Sequence, residues 1–157
     1  MTELFLLLPD KLTVFVSSMV PIFELRFSIP FGVLALKMSY PETYLLGVIG
    51  SIVPAPFILA LIPAIIQWMR NTSFFKPLGD WVYNKGMKKT HKLEKYGYIG
   101  LAFFVSVPLP GTGVWTGCLA ASLLGMEFKK SLLAALTGSA MAGVAVSILT
   151  SIGALAL

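Results

Sequence analysis

Two stretches of 27 residues, Thr43 to Met69 and Ser131 to Leu157, contain no charged side chain. A helix needs about 20 apolar residues to cross the hydrocarbon core of a bilayer, so each stretch is long enough for a full span. A third charge-free run, Tyr96 to Met126, has 31 residues, and a fourth, Leu12 to Phe23, has only 12. With 12% charged residues and a mean hydropathy of +0.85, the chain stands far from soluble domains, which carry roughly 25% charge. An all-α integral membrane protein is expected.

The third run is broken at its centre by Val107-Pro-Leu-Pro-Gly-Thr-Gly113. Proline removes a helical donor and glycine lowers helix propensity by about 1 kcal/mol, so one straight helix is not expected there. The flanking arms, Tyr96 to Val107 and Val114 to Met126, would each be roughly 18 to 20 Å long, a little past the bilayer midplane. Leu12 to Phe23 and Phe27 to Ser39 are arms of matching length around the charged triplet Glu24-Leu25-Arg26. The expected fold is an inverted repeat of two re-entrant helical hairpins, each followed by a transmembrane helix. Its parts are hairpin 1–39, span 42–69, a cytoplasmic amphipathic linker 70–95, hairpin 96–126 and span 128–157. Irregular backbone at that depth must be satisfied by protein or a wet cavity, which facing hairpin tips provide. The alternative is that both breaks are surface turns between short helices, or that the third run is a kinked span.

An offset of 88 residues lays Leu36, Met38, Leu45, Gly50 and Ser51 over Leu124, Met126, Leu133, Gly138 and Ser139. Both long segments also carry small residues at every fourth position: Gly47, Ser51 and Ala55 in one, Ala135, Ser139, Gly143 and Ser147 in the other. Such a stripe lets helices approach closely in lipid, so it is expected to pack the spans on each other, on the hairpins or on a second subunit. Pro54, Pro56 and Pro63 should bend the first span.

The formal net charge of +5 resides in the linker, where Arg70, Lys76, Lys85, Lys88, Lys89, Lys92 and Lys95 face only Asp80 and Glu94. The positive-inside rule puts this segment in the cytoplasm. Phe74, Leu78, Trp81 and Val82 recur at helical spacing, with Asn71, Thr72 or Ser73 available as a cap. This predicts a short amphipathic helix on the inner leaflet with its lysines near anionic lipid; a solvated loop is the other reading. Nucleic acid is not an expected partner, because no fold presents the basic run. His91 is the only histidine and Cys118 the only cysteine, so no internal disulfide, metal cluster or cofactor is expected. An intramembrane enzyme would need a serine and histidine pair, paired aspartates or a histidine metal cluster, and none is legible. The acid near the N-terminus, where a secretory signal carries a base, predicts insertion without processing.

Glu24 and Arg26 each cost roughly 2.5 to 3.5 kcal/mol in hydrocarbon even on the lenient insertion scale, so groups of this kind tend to line an interior path. Two residues apart, they point away from each other on a regular helix. At an irregular tip they could pair, or each could face a ligand. In the functional reading Glu24 exchanges a proton or binds a cation, while Arg26 holds an anionic group or rests against Glu24; in the plain one they form a structural ion pair. Pro110 to Gly113 offers backbone amides, with Gly111 and Gly113 permitting close approach of an anion and Thr112 adding a hydroxyl.

Through Pro21-x-x-Glu24-x-Arg26-x-x-Ile29-Pro30-x-Gly32, the later Pro108-Leu-Pro110-Gly-Thr-Gly113 and the basic linker, the chain resembles the small multidrug export protein family of prokaryotes over nearly its full length. More distantly it is similar to the DedA and VTT-domain membrane proteins, whose inverted re-entrant loops are associated with lipid or polyprenyl-phosphate translocation and proton-coupled transport. The resemblance implies roles for Glu24, Arg26, Pro30 and the Pro108 to Gly113 turn, and a multi-pass protein of the prokaryotic inner (plasma) membrane. DedA-like proteins carry arginines around the second loop, whereas Tyr96 to Met126 here has no charge. The expected function is export of an amphiphilic or anionic substrate, drug-like or lipid-linked, coupled to protons or cations at the tips. The alternative is a noncatalytic membrane scaffold or accessory subunit. Two spans and two half-spans provide little wall for a pore, so a homodimer is expected.

Overall fold

The computed structural model describes residues 9–109 and 111–155, with 82 and 85–95 as helical backbone only. All regular structure among them is helical. Helix α1 (Asp10–Met19) ends at Val20, which is extended (ψ 129°) because a residue before proline is pushed out of the helical region. After a turn at 20–23, α2 (Glu24–Pro30) begins. Pro30 brings no N–H to the ladder, and the chain loosens beyond it into a π-helical stretch, Phe31–Ala35, with Leu36 N–H donating to Phe31 O at 3.2 Å. Helices α3 (Tyr40–Ile52) and α4 (Pro54–Asn71) form one apolar stretch, interrupted at Val53 where Pro54 and Pro56 withhold donors. Pro63 stays inside α4.

Helix α5 (Lys76–Ser106) bends at Gly97 (φ 56°, ψ −136°) and ends at Val107, a second extended residue before a proline. Its first limb, 76–96, is longer than the short amphipathic helix read from the spacing of Phe74 to Val82. The lysines, Met87, Leu93 and Glu94 that follow are good helix formers. No side-chain cap holds its start; Thr72 Oγ1 instead donates back to Trp68 O at 2.9 Å. Helices α6 (Val114–Leu123) and α7 (Phe128–Leu155) complete the described chain. Tyr40–Asn71 and Phe128–Leu155 are long and apolar enough to cross a membrane.

Each broken segment returns to the end where it starts. Lys11 Nζ, in the first turn of α1, lies 2.6 Å from Glu42 Oε1 in the first turn of α3. In the second half Glu127 N–H, just before α7, donates to Tyr98 Oη at 3.1 Å. The long helices meet at Ser51 and Ser139, whose buried hydroxyls are 2.7 Å apart. Gly143 lies under Tyr44 and Val48, Gly47 under Ile29 and Leu25, and Ala55 and Ala135 belong to one buried cluster with Leu101, Val105 and Cys118. Ser147 is partly buried and bonds its own helix at Gly143 O. Leu25 and Ile29 of α2 pack on Ala142 and Val146 of α7. The outside is apolar: Phe57, Leu61, Ile65, Phe103, Leu133 and Ile148 are exposed, as suits a surface facing lipid.

Two glycines set the distance between layers. A Cβ on Gly50 would stand 2.5 Å from Phe15 O of α1, and one on Gly138 would stand 2.5 Å from Ala102 O of α5. Both obstacles are backbone atoms and cannot rotate away. Gly50→Ala and Gly138→Ala should each destabilise the protein by about 1–3 kcal/mol through overpacking. Gly153→Ala, with no atom within 4 Å of its Cβ, should not lower stability. Unfolding midpoints in detergent check this.

Candidate functional site

The two breaks, 20–23 and 107–113, come together. Glu24 and Arg26 are not on the irregular turn itself, as the sequence reading had them, but in the first turn of α2. A regular helix would keep side chains two apart from meeting, yet Glu24 Oε2 and Arg26 Nη1 are 3.1 Å apart. Glu24 reconciles the two facts: its φ of 46° is left-handed, so the helix opens on a distorted residue. For a non-glycine residue that strain is of order 1–3 kcal/mol and persists only where the surroundings hold it.

The surroundings do hold it. Arg26 Nη1 also donates to Thr112 O, and Nη2 donates to Val107 O and Thr112 Oγ1, both at 2.9 Å. Glu24 Oε1 accepts the backbone N–H of Trp115 at 3.3 Å, and the Trp115 indole N–H donates to Met19 O at 2.9 Å. The arrangement follows from helix electrostatics. Val107 O lies at the C-terminal, partially negative end of α5, and Trp115 N–H lies at the N-terminal, partially positive end of α6. The guanidinium therefore takes the carbonyl end and the carboxylate takes the amide end. Glu24 is only 4% exposed. Arg26 Nε is buried and has no hydrogen-bond partner among the described residues.

Gly113 (φ 127°) is where the tips touch. A Cβ there would run into the Glu24 carboxylate and stand 2.7 Å from Arg26 Nη1. Thr112 Oγ1 is also 2.7 Å from Val107 O, so its hydroxyl braces the turn as well as accepting from Arg26. Gly111 is exposed with open space around it (φ 86°), and Pro110 lies outside the described residues. Pro30 and Pro108 line, with Arg26, Leu149 and Thr150, an open cavity of about 380 Å³ beside the pair. Reading the sequence alone missed the carbonyls of Met19 and Val107 and the double role of Trp115. One signal pointed there: the 88-residue offset lays Glu24 over Thr112.

A helical bundle with two helices long and apolar enough to cross a membrane, and an ion pair with a buried carboxylate joining two helix breaks, defines a membrane protein with an internal polar junction. The chain belongs to the family described as "putative small multi-drug export protein", whose model matches residues 24–145. That range begins at the buried carboxylate, just after the first break, and takes in Arg26, the second break and the linker. The family description is one of export, and so places the chain with transport proteins. No curated protein and no solved structure matches the chain.

Arg26→Met should destabilise the protein by about 3–5 kcal/mol by leaving a buried carboxylate unpaired. The double variant Glu24→Gln/Arg26→Met should recover part of that loss. A double-mutant cycle from unfolding curves checks this; additive losses would show that the two groups do not interact.

Proposed function

We propose that the protein exports amphiphilic or anionic molecules, drug-like or lipid-linked, across the prokaryotic inner membrane, and that the junction of the two breaks is its gate. The observation that carries this is the buried Glu24–Arg26 pair bonded to the opposite break, inside a molecule whose outside is apolar. Helices α1 and α6 have 10 residues each, roughly 15 Å and half of a hydrocarbon core of about 30 Å. Together with the return of each broken segment to its own starting end, this supports two re-entrant hairpins meeting near the midplane in an inverted repeat, the layout of many secondary transporters. The basic linker then lies in the cytoplasm, and a homodimer supplies the wall that one copy lacks.

In the gate the four Nη hydrogens of Arg26 have acceptors, so an anionic group reaches the Nη groups only by displacing Val107 and Thr112 or Glu24. Substrate binding and parting of the tips are thereby one event. A proton on Glu24 removes the negative partner of Arg26 and the acceptor of Trp115 N–H, which couples opening to proton binding. A second reading is favoured by the same bonds: a guanidinium whose Nη groups are all engaged also suits a permanent bolt in a noncatalytic scaffold.

Proteoliposomes loaded with an anionic fluorescent amphiphile separate the two. Efflux should respond to an imposed pH gradient in the wild type, lose that response in Glu24→Gln and fall in Arg26→Lys. Wild-type efflux from both variants would exclude the gate, and wild-type efflux no faster than from protein-free liposomes would leave the scaffold.

Sidedness is tested with Cys118 replaced and single cysteines at Lys11, Lys37, Asn84, Leu109 and Lys129. Positions 11 and 37 should label only from outside, 84 and 129 only from inside, and 109 slowly. Positions 11 and 37 on opposite sides would mean that the first segment spans, and the inverted repeat would fall.

A further inference from the structure

A second polar site lies away from the gate, at the elbow between α4 and the linker limb of α5. Gly79 lets the two helices cross closely there, since a Cβ on it would stand 3.0 Å from both Met69 Cβ and Arg70 Cγ. Beside the crossing is an open cavity of about 500 Å³, reaching from Arg70 and Lys76 to Ser122 and Leu123 at the end of α6.

Its lining has two characters. Gln67, Arg70, Asn71, Lys76, Asp80 and Tyr83 form a polar mouth, while Pro63, Ile66 and Leu123 form an apolar floor. Arg70 is held in place: its Nε donates to Asp80 Oδ1 at 2.8 Å and its guanidinium lies 4.5 Å from the centre of the Tyr83 ring. Among the described residues no hydrogen bond uses its two Nη groups, and Lys76 has no ion pair. Asp80 offsets one of the two cations, so the mouth keeps one net positive charge.

The chain flanking the mouth carries large apolar side chains that stay exposed: Trp68 is 58% exposed, Phe74 83% and Trp81 56%. Phe75 joins the first two, with ring centroids 5.6 Å from Trp68 and 4.9 Å from Phe74. Tryptophan and phenylalanine beside basic groups are the composition of a membrane–water boundary. A freely soluble anion would use the mouth and leave the floor and the aromatic flank bare. An anionic amphiphile uses all three.

We propose that this cleft binds the phosphate-bearing headgroup of an anionic phospholipid, with Arg70 and Lys76 on the phosphate, Gln67 and Asn71 on the polar remainder, and the acyl chains along Trp68 and Phe74. Such a site fixes the elbow at the bilayer surface and sets the height of the linker helix. It shares no residue with the Glu24–Arg26 junction, so it stands or falls independently of the gate.

The test uses the full chain in nanodiscs of phosphatidylcholine containing a minor fraction of phosphatidylglycerol, with native mass spectrometry counting the lipids that stay bound. The wild type should retain phosphatidylglycerol in preference to phosphatidylcholine. Arg70→Gln and Lys76→Gln should each weaken that preference about fivefold, the effect of one surface cation near anionic lipid. Lys129→Gln should leave it unchanged. Lys76 is exposed at the start of its helix, so its variant tests the site even if Arg70→Gln fails to fold. Equal retention of both lipids by the wild type, or loss of preference in Lys129→Gln as well, would overturn the proposal. Titration of inorganic phosphate into phosphatidylcholine nanodiscs supplies the other arm: saturable binding that Lys76→Gln abolishes, without any lipid preference, would assign the cleft to a soluble anion instead.

Discussion

A helix that stops where its surroundings are apolar leaves carbonyls at one end and amides at the other with no water to receive them, and this structure answers that constraint with a single pair of side chains. Arg26 closes the carbonyl end of α5 and Glu24 the amide end of α6, while their own mutual attraction offsets part of the desolvation of each. The partners are 81 to 91 residues apart in the chain. Neither half can therefore complete its own break, and the core between α4, α5, α6 and α7 is assembled only once the halves have met.

Positions related by 88 residues do equivalent work: Gly50 admits the backbone of α1 and Gly138 that of α5, each glycine standing one residue before a buried serine of its long helix. Ser51 and Ser139 go further and touch one another. In any object with approximate two-fold symmetry, equivalent points in contact must sit near the axis, so this pair marks where that axis would run. Glu24 and Thr112, also related by the offset, both belong to the junction of the breaks. At the junction the acid and the base both come from the first half, and the second half answers with backbone atoms and a hydroxyl.

Much of the architecture was legible because hydrocarbon and proline leave few choices. The two long apolar helices follow from charge-free length, and the breaks follow from Val20-Pro21 and Val107-Pro108, each valine driven out of helical geometry by the proline after it. The small-residue stripe gave the positions at which the long helices meet, though not which neighbour each would touch. The elbow was less legible. Apolar spacing marked a short helix, but the residues that lengthen it to the bend at Gly97 carry no apolar period, and only their propensity favours a helix. At the junction, composition pointed to Glu24 and Arg26 because charge is rare there. It could not point to Val107 O or Trp115 N–H, since every residue but proline carries such groups and only the tertiary fold selects among them.

The left-handed Glu24 bears on whether the junction is a bolt or a gate. A bolt built for stability alone gains nothing from a strained residue, because a pair spaced four apart on a relaxed helix would meet without it. The strain is instead what lets both side chains reach the opposite break from a single turn of α2. Once Arg26 leaves the carbonyls of Val107 and Thr112, little holds Glu24 in that conformation, and its relaxation would draw the carboxylate away from Trp115. Opening would thus be cooperative: the contacts at the two helix ends are lost together rather than one by one. The energy for it must come from a group able to replace a carboxylate or several carbonyls at a guanidinium, or from a proton that neutralises Glu24. Either agent would act on the same few atoms, and that coincidence is the physical basis of the gate we propose.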